Sequence, residues 1–83
     1  LVRACQRIQH DANDEIVRQN TRGEYLFIVQ EGKLESHCEK NQNCKGVLDK
    51  GEIFGELSLL YGQEYAMTVI ATEKAVLWRL EQN

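Results

Sequence analysis

The stretch IFGELSLLYGQEYAMTV, Ile53–Val69, decides how the rest of the chain is read. It opens on Phe54-Gly55-Glu56, runs into the apolar segment Leu57–Tyr61, turns at Gly62–Glu64 and ends in a β-branched tail. The first turn of a helix leaves backbone N–H groups without intrahelical partners, and together with the helix dipole these favour an anion. Gly55 has no Cβ to keep a ligand away from the backbone. Glu56 offers an acceptor-only carboxylate that can take the proton of a ribose hydroxyl, the role an acid plays in dinucleotide folds. The same pair also reads as a turn glycine followed by an acid that favours the helix dipole. No Arg or Lys stands between Ile53 and Val69, so a phosphate held here lacks the usual cation.

Around this stretch the chain alternates short runs of β-formers with turn residues. Val2–Ile8 reads as a first strand or a frayed edge. His10–Glu15, HDANDE, is a polar turn cluster. Glu15–Arg18 is a short strand and Gln19–Glu24 another turn. Tyr25–Val29, YLFIV, is the strongest strand; five apolar residues without alternation predict burial on both faces. Gln30–Lys33 reads as a hairpin turn into Leu34–Cys38, and Glu39–Gly46, EKNQNCKG, as an exposed hairpin tip. Val47-Leu48 is a strand, Asp49–Glu52 a turn, and Leu57–Tyr61 the one helical segment. Ala66–Ala71 and Ala75–Leu80 are strands joined by Thr72–Lys74. In the last strand Val76, Trp78 and Leu80 are predicted to face the core, with Ala75, Leu77 and Arg79 on the opposite face. Seven or eight short strands with one late helix predict an all-β sandwich or jelly roll.

The gross numbers narrow the function. Eighty-three residues make one small domain, 1–83, and a chain this short buries a modest fraction of its surface. It starts at Leu1 rather than Met, and is read as a fragment of something longer. A net charge of −3 argues against a nucleic-acid partner, which calls for clustered Lys and Arg. No apolar run approaches the roughly 20 residues that span a bilayer, and no signal-peptide pattern is present, so no membrane partner is expected. Cys5, Cys38 and Cys44 are odd in number and irregular in spacing. They read as isolated thiols in a reducing, cytoplasmic setting rather than as a disulfide framework. His37, Cys38 and Cys44 fit no common zinc spacing and lack a fourth ligand, so neither a metal nor a cofactor is predicted.

Three segments, EYLFIVQEGKLE, VLDKGEIFGELSLLYG and YAMTVIATEKAVLWRL, carry a resemblance. In order, spacing and residue type they resemble the cyclic nucleotide-binding domain family, and in particular the regulatory domains of cAMP- and cGMP-dependent protein kinases. The resemblance covers roughly Ile8 to Leu80. It implies a jelly-roll barrel with a phosphate-binding cassette helix, holding cAMP or cGMP. The family cassette reads Phe-Gly-Glu, apolar residues, a short gap, then a segment close to Arg-Ala-Ala-Thr-Val. Phe54–Leu60 matches its first half, and Ala66, Thr68 and Val69 match the second. By resemblance, Glu56 binds the ribose 2′-hydroxyl, while the backbone of Gly55, Leu57 and Ser58 approaches the ribose and phosphate. The chain ends at Asn83, before the family's C-terminal helices, so the flanking helices and the lid over the base are expected to be largely missing.

One position departs from the pattern. Counted from Glu56, the family's phosphate-binding Arg falls on Tyr65, followed by Ala66 and Met67. Tyrosine carries no charge near neutral pH and donates a single hydrogen bond. A charge-assisted bond is worth about 1.5–3 kcal/mol, so its loss weakens binding by roughly one to two orders of magnitude. Met67 replaces a small residue and is expected to narrow the pocket. Arg18, Arg22 and Arg79 stand elsewhere, and sequence does not place them near Ser58. The site therefore reads as degenerate, as weakly binding, or as suited to a less charged ligand. Ala66, lacking a hydroxyl, leans toward cAMP or toward no preference.

Trp78 and Phe27 are predicted to pack in the core rather than stack on a base. No Ser-His-Asp or Cys-His arrangement has local support, and Asp11, Asp14 and Glu15 lack the glycine and terminal acid of a calcium loop. The chain is read as non-catalytic: a regulatory domain acting on a kinase catalytic domain in cis or in trans, with weakened nucleotide binding. The alternative is a degenerate barrel serving as a structural or docking module. A ligand sensor of the bacterial transcription-regulator kind ranks last, because the chain contains no DNA-binding part.

Overall fold

The structure is a computed structural model that describes residues 2–38 and 45–82. It consists of eight strands and one short helix in the order β1 (Val2–His10), β2 (Glu15–Val17), β3 (Tyr25–Glu31), β4 (Leu34–His37), β5 (Gly46–Leu48), β6 (Ile53–Phe54), α1 (Glu56–Tyr61), β7 (Thr68–Ala71) and β8 (Ala75–Gln82). Two four-stranded antiparallel sheets face one another, ordered β1-β8-β3-β6 and β2-β7-β4-β5. Among consecutive strands only β4 and β5 share a sheet; every other connection crosses between sheets. This is the predicted jelly-roll arrangement, in which side chains of two facing sheets close one core.

The inward rows make that core. Val17, Phe27, Val29, Leu34, Phe54, Val69, Ala71, Ala75 and Leu77 form one buried cluster that also includes Tyr65. Phe27 stacks on Phe54 with ring centroids 4.9 Å apart, across the β3–β6 register that pairs the same two residues.

Three expectations need correction. The turn at Gln30–Lys33 does not close a hairpin, because β3 pairs with β6 and β8 whereas β4 pairs with β5 and β7. A glycine with positive φ, here Gly32 at 91°, serves a crossover as well as a hairpin, and only the distant partners decide between them. The inward row of β8 is Ala75, Leu77 and Arg79 rather than Val76, Trp78 and Leu80. Leu77 is fully buried and Ala75 belongs to the core cluster, while Trp78 and Leu80 are only half-buried; of the predicted row Val76 alone is buried, outside that cluster. The register explains how the other row is tolerated. Leu26 pairs with Leu80 and Ile28 with Trp78, so the outward apolar side chains stand beside one another on the outer face. Tyr25–Val29 is consequently buried on one face and half-buried on the other. Finally, Cys38 is disulfide-bonded and Cys5 is a free, exposed thiol. An odd cysteine count forces one unpaired thiol and forbids nothing for the rest. The predicted hairpin tip, for residues 39–44, and Cys44 lie outside the described residues.

Candidate functional site

α1 exists because two glycines bracket six residues. Gly55, at φ 84° and ψ 4°, caps its N-terminus, and Gly62, at φ 68°, its C-terminus, where the Gly62 N–H donates to the Ser58 carbonyl. Left-handed backbone of this kind favours glycine. A Cβ on Gly55 would also stand 2.7 Å from the Tyr25 carbonyl oxygen and 3.4 Å from Tyr65 Cε1. The helix head is therefore pressed against β3 and against the Tyr65 ring. Leu59 N–H donates to the Gly55 carbonyl, leaving the amides before it as the unpaired first turn.

All eight residues predicted for the site, Phe54, Gly55, Glu56, Leu57, Ser58, Tyr65, Ala66 and Met67, come together around one cavity. Val17, which the sequence reading did not single out, completes the lining. Phe54 belongs to the core, Glu56 is half-buried at the helix head, and Met67 packs on the core from the side. The Leu57 side chain points to solvent, as does Ala66. Ser58 is buried, and a Cβ on Gly23 would fall 1.9 Å from its own Cβ. Gly23 is thus the residue that lets α1 seat on the loop before β3. It reads as one of many turn residues in the sequence, with nothing to mark it.

Tyr65 does not project into open space. It is 7% exposed and part of the core cluster. Its hydroxyl accepts a hydrogen bond from the Tyr25 N–H at 3.2 Å and donates to the Tyr25 carbonyl at 3.3 Å. Burial pushes the phenol above its ordinary pKa of 10.0, with hydrogen bonds from the Tyr25 and Glu24 backbone working the other way. The group is neutral at physiological pH, and its hydrogen-bonding capacity is already met within the chain.

The cavity that remains is about 60 Å³. That admits a few water molecules and falls well short of the roughly 300–1,000 Å³ of ordinary small-molecule sites. Among the described residues no cluster of three or more His, Cys, Asp or Glu side chains could hold a metal ion. No helix there is long and apolar enough to cross a membrane.

Residues 7–83 match the family described as cyclic nucleotide-binding domain. The chain belongs to that family. It is 34% identical over 83 residues to the cAMP-dependent protein kinase regulatory subunit of Yarrowia lipolytica, covering 99% of this chain and 21% of that protein. The chain spans about a fifth of the length of the curated relatives it matches. Among solved structures it is similar to the regulatory domain of Toxoplasma gondii protein kinase A crystallised with cAMP. There the TM-score is 0.83 with 34% identity, covering 94% of this chain and 31% of the other. It is also similar to the regulatory subunit of a cAMP-independent protein kinase A from Trypanosoma brucei. In that case the TM-score is 0.84 with 25% identity, covering 94% and 28% respectively. Membership of the cyclic nucleotide-binding domain family accounts for the barrel, the Phe-Gly-Glu helix head and the order of the strands.

Proposed function

We propose that this chain is a regulatory domain of a cyclic-nucleotide-dependent protein kinase or of its regulatory subunit, with weakened binding of cAMP or cGMP. The observation that carries the reading is the position of Tyr65. The cassette spacing puts it where the family's phosphate-binding Arg stands, and its ring and hydroxyl are committed to the barrel. Glu56 at the helix head supplies the ribose contact, the first-turn amides face the phosphate, and no cation from the stretch Ile53–Val69 joins them.

In this reading the domain binds and a partner catalyses. A ligand that prefers one arrangement of the segments flanking the barrel shifts the population toward it, and the kinase catalytic domain, in cis or in trans, responds. A cytoplasmic setting is part of the reading, without the isolated-thiol argument for it, because Cys38 is disulfide-bonded. The similarity to a regulatory subunit described as cAMP-independent supports the idea that this barrel can persist while nucleotide control weakens.

Calorimetric titration with cAMP and with cGMP tests it. Saturable heat with a weak constant is the expected result, and sub-micromolar binding of either nucleotide would overturn the weakening. A second reading is favoured by the small cavity: a barrel that no longer binds and serves as a docking module. No saturable heat, in either the natural chain or a folded Tyr65→Arg variant, would establish that reading in place of the first.

A further inference from the structure

The turn between β2 and β3 carries an exposed threonine set among arginines. Arg18, Thr21 and Arg22 are all exposed and line one cavity of about 260 Å³. Asn20, left-handed at φ 69°, bends the chain there, and the Thr21 hydroxyl donates to the Arg18 carbonyl at 2.7 Å. Arg18 Nε lies 2.9 Å from Glu15 Oε1, a surface pair of the kind that holds a side chain weakly. Arg22 makes no ion pair among the described residues. The other hydroxyls are placed differently. Ser36, Ser58 and Thr68 are buried. Thr72 is exposed, but Val69 stands three residues before it and Glu73 directly after it. The Thr21 turn is also tied to the cassette. Asn20 N–H donates to the Tyr65 carbonyl at 2.9 Å, Tyr65 N–H donates to the Thr21 carbonyl at 3.0 Å, and Arg22 forms a β-bridge with Glu64.

An arginine three residues before a threonine, on an exposed turn, is a charge pattern that a kinase cleft lined with acids selects. We propose that Thr21 is a phosphorylation site for an arginine-directed serine/threonine kinase, and that Arg18 and Arg22 then hold the phosphate on the turn that positions Tyr65. In the transfer the Thr21 hydroxyl oxygen attacks the γ-phosphorus of ATP. The new O–P bond forms as the bond to the β-phosphate oxygen breaks, ADP leaves, and the hydroxyl proton passes to the kinase's base. The phosphate brings roughly two negative charges and removes the hydroxyl donor. It is therefore repelled by the Arg18 carbonyl and turns to the guanidinium groups on either side, which grip a phosphate through two N–H groups at once. Glu24 lines the same cavity and Glu64 lies opposite Arg22. Both are exposed carboxylates whose repulsion solvent and salt screen, whereas the guanidinium bonds are direct. Loss of the bond to the Arg18 carbonyl shifts the turn, and the two backbone bonds pass that shift to Tyr65. The site is distinct from the cassette, and its modification does not depend on a cyclic nucleotide binding there.

Incubating the chain with the catalytic domain of an arginine-directed kinase, magnesium and ATP tests both halves of the proposal. Fragmentation mass spectrometry is expected to place the phosphate on Thr21. Arg18→Gln slows incorporation by roughly tenfold or more, the loss that goes with one charge-assisted contact. Thr21→Ser still accepts phosphate and Thr21→Val does not. In the isotope-labelled, phosphorylated chain the Arg18 and Arg22 Nε–H resonances shift, as do the backbone amides of Asn20 and Tyr65, while the Leu77 amide in the core stays still. Phosphorylated Arg22→Gln moves the Tyr65 amide less than the phosphorylated natural chain does. If near-UV circular dichroism finds Thr21→Val unfolded, site mapping on the natural chain and on Thr21→Ser carries the test. Each of four results overturns the proposal: no incorporation, phosphate on Thr72 in place of Thr21, incorporation into folded Arg18→Gln at the natural rate, or a Tyr65 amide that does not move on phosphorylation.

Discussion

Replacing Tyr65 by arginine is expected to move stability and affinity in opposite directions. The natural side chain is 7% exposed and makes two hydrogen bonds to the Tyr25 backbone. An arginine can keep some of the packing with its stem, but the ring and both bonds are lost. Burying a large aromatic is worth about 3–5 kcal/mol relative to alanine, so with the stem retained the loss should be about 2–3 kcal/mol. For a domain of this size each kcal/mol moves Tm by roughly 4–8 °C. Affinity goes the other way. A guanidinium released from the barrel toward the first-turn amides gives a phosphate a charge-assisted partner worth about 1.5–3 kcal/mol, or roughly ten- to hundredfold in Kd. Calorimetry with cAMP and cGMP measures the second effect and thermal unfolding the first. Because ligand at 100 times its Kd returns about 2.7 kcal/mol, melts with and without nucleotide keep the test usable for a weakened fold. A folded variant that binds no better than the natural chain would refute the assignment of Tyr65 to the cation position.

Tyr65→Phe removes the hydroxyl and leaves the Tyr25 N–H and carbonyl without that partner, so urea unfolding should record a loss of about 1–3 kcal/mol. The same variant tests the alkaline limb. The folded phenol titrates above the unfolded value of 10.0, so its contribution is fully present below pH 10 and is lost as pH rises through the folded value. Urea melts across that range should fall less steeply for Tyr65→Phe, and equal slopes would count against the burial described. Gly23→Ala drives a Cβ to 1.9 Å from Ser58 Cβ and should displace α1. Ser58→Gly should relieve it, with a double-mutant coupling within the usual range of about 0.5–3 kcal/mol. Leu77→Ala should cost about 2–5 kcal/mol, and Leu80→Ala, on the half-buried row, less than half as much. Equal losses would mean that the inward face of β8 has been misassigned.

The parts of this fold that were legible in the sequence are those whose causes are local. Gly55 and Gly62 announce a short helix through backbone geometry alone, and the β-branched and aromatic run Tyr25–Val29 announces a strand. What stayed hidden depends on residues far apart in the chain. Alternation divides β8 into two rows without saying which row faces in. The row ending in Arg79 looks the less apolar, yet it is the inward one because Tyr25 offers a ring face and Gln6 an acceptor. The turn at Gly32 has hairpin chemistry, but the partners of β3 and β4 lie far along the chain, in β8 and β7. Gly23 matters only because Ser58 arrives against it.

The cassette combines both kinds of information. Its composition marks the absence of a cation, which is a statement about charge. The structure adds a statement about volume, because the residue at that position has turned inward and bonded to the backbone. On the proposed reading, these are separate contributions to weakened binding. A ligand that needs Tyr65 displaced binds only the fraction of molecules in which it is displaced, and its apparent Kd rises by the inverse of that fraction. Breaking the two bonds to Tyr25 at about 0.5–1.5 kcal/mol each makes that fraction roughly one part in five to one in 160. The closed cavity is therefore as large an obstacle as the missing charge. Tyr65→Arg removes both obstacles at once, whereas a ligand without a phosphate meets only the first. Comparing the gain on Tyr65→Arg for cAMP with the gain for adenosine separates them: the excess for cAMP is the charge, and the common part is the space.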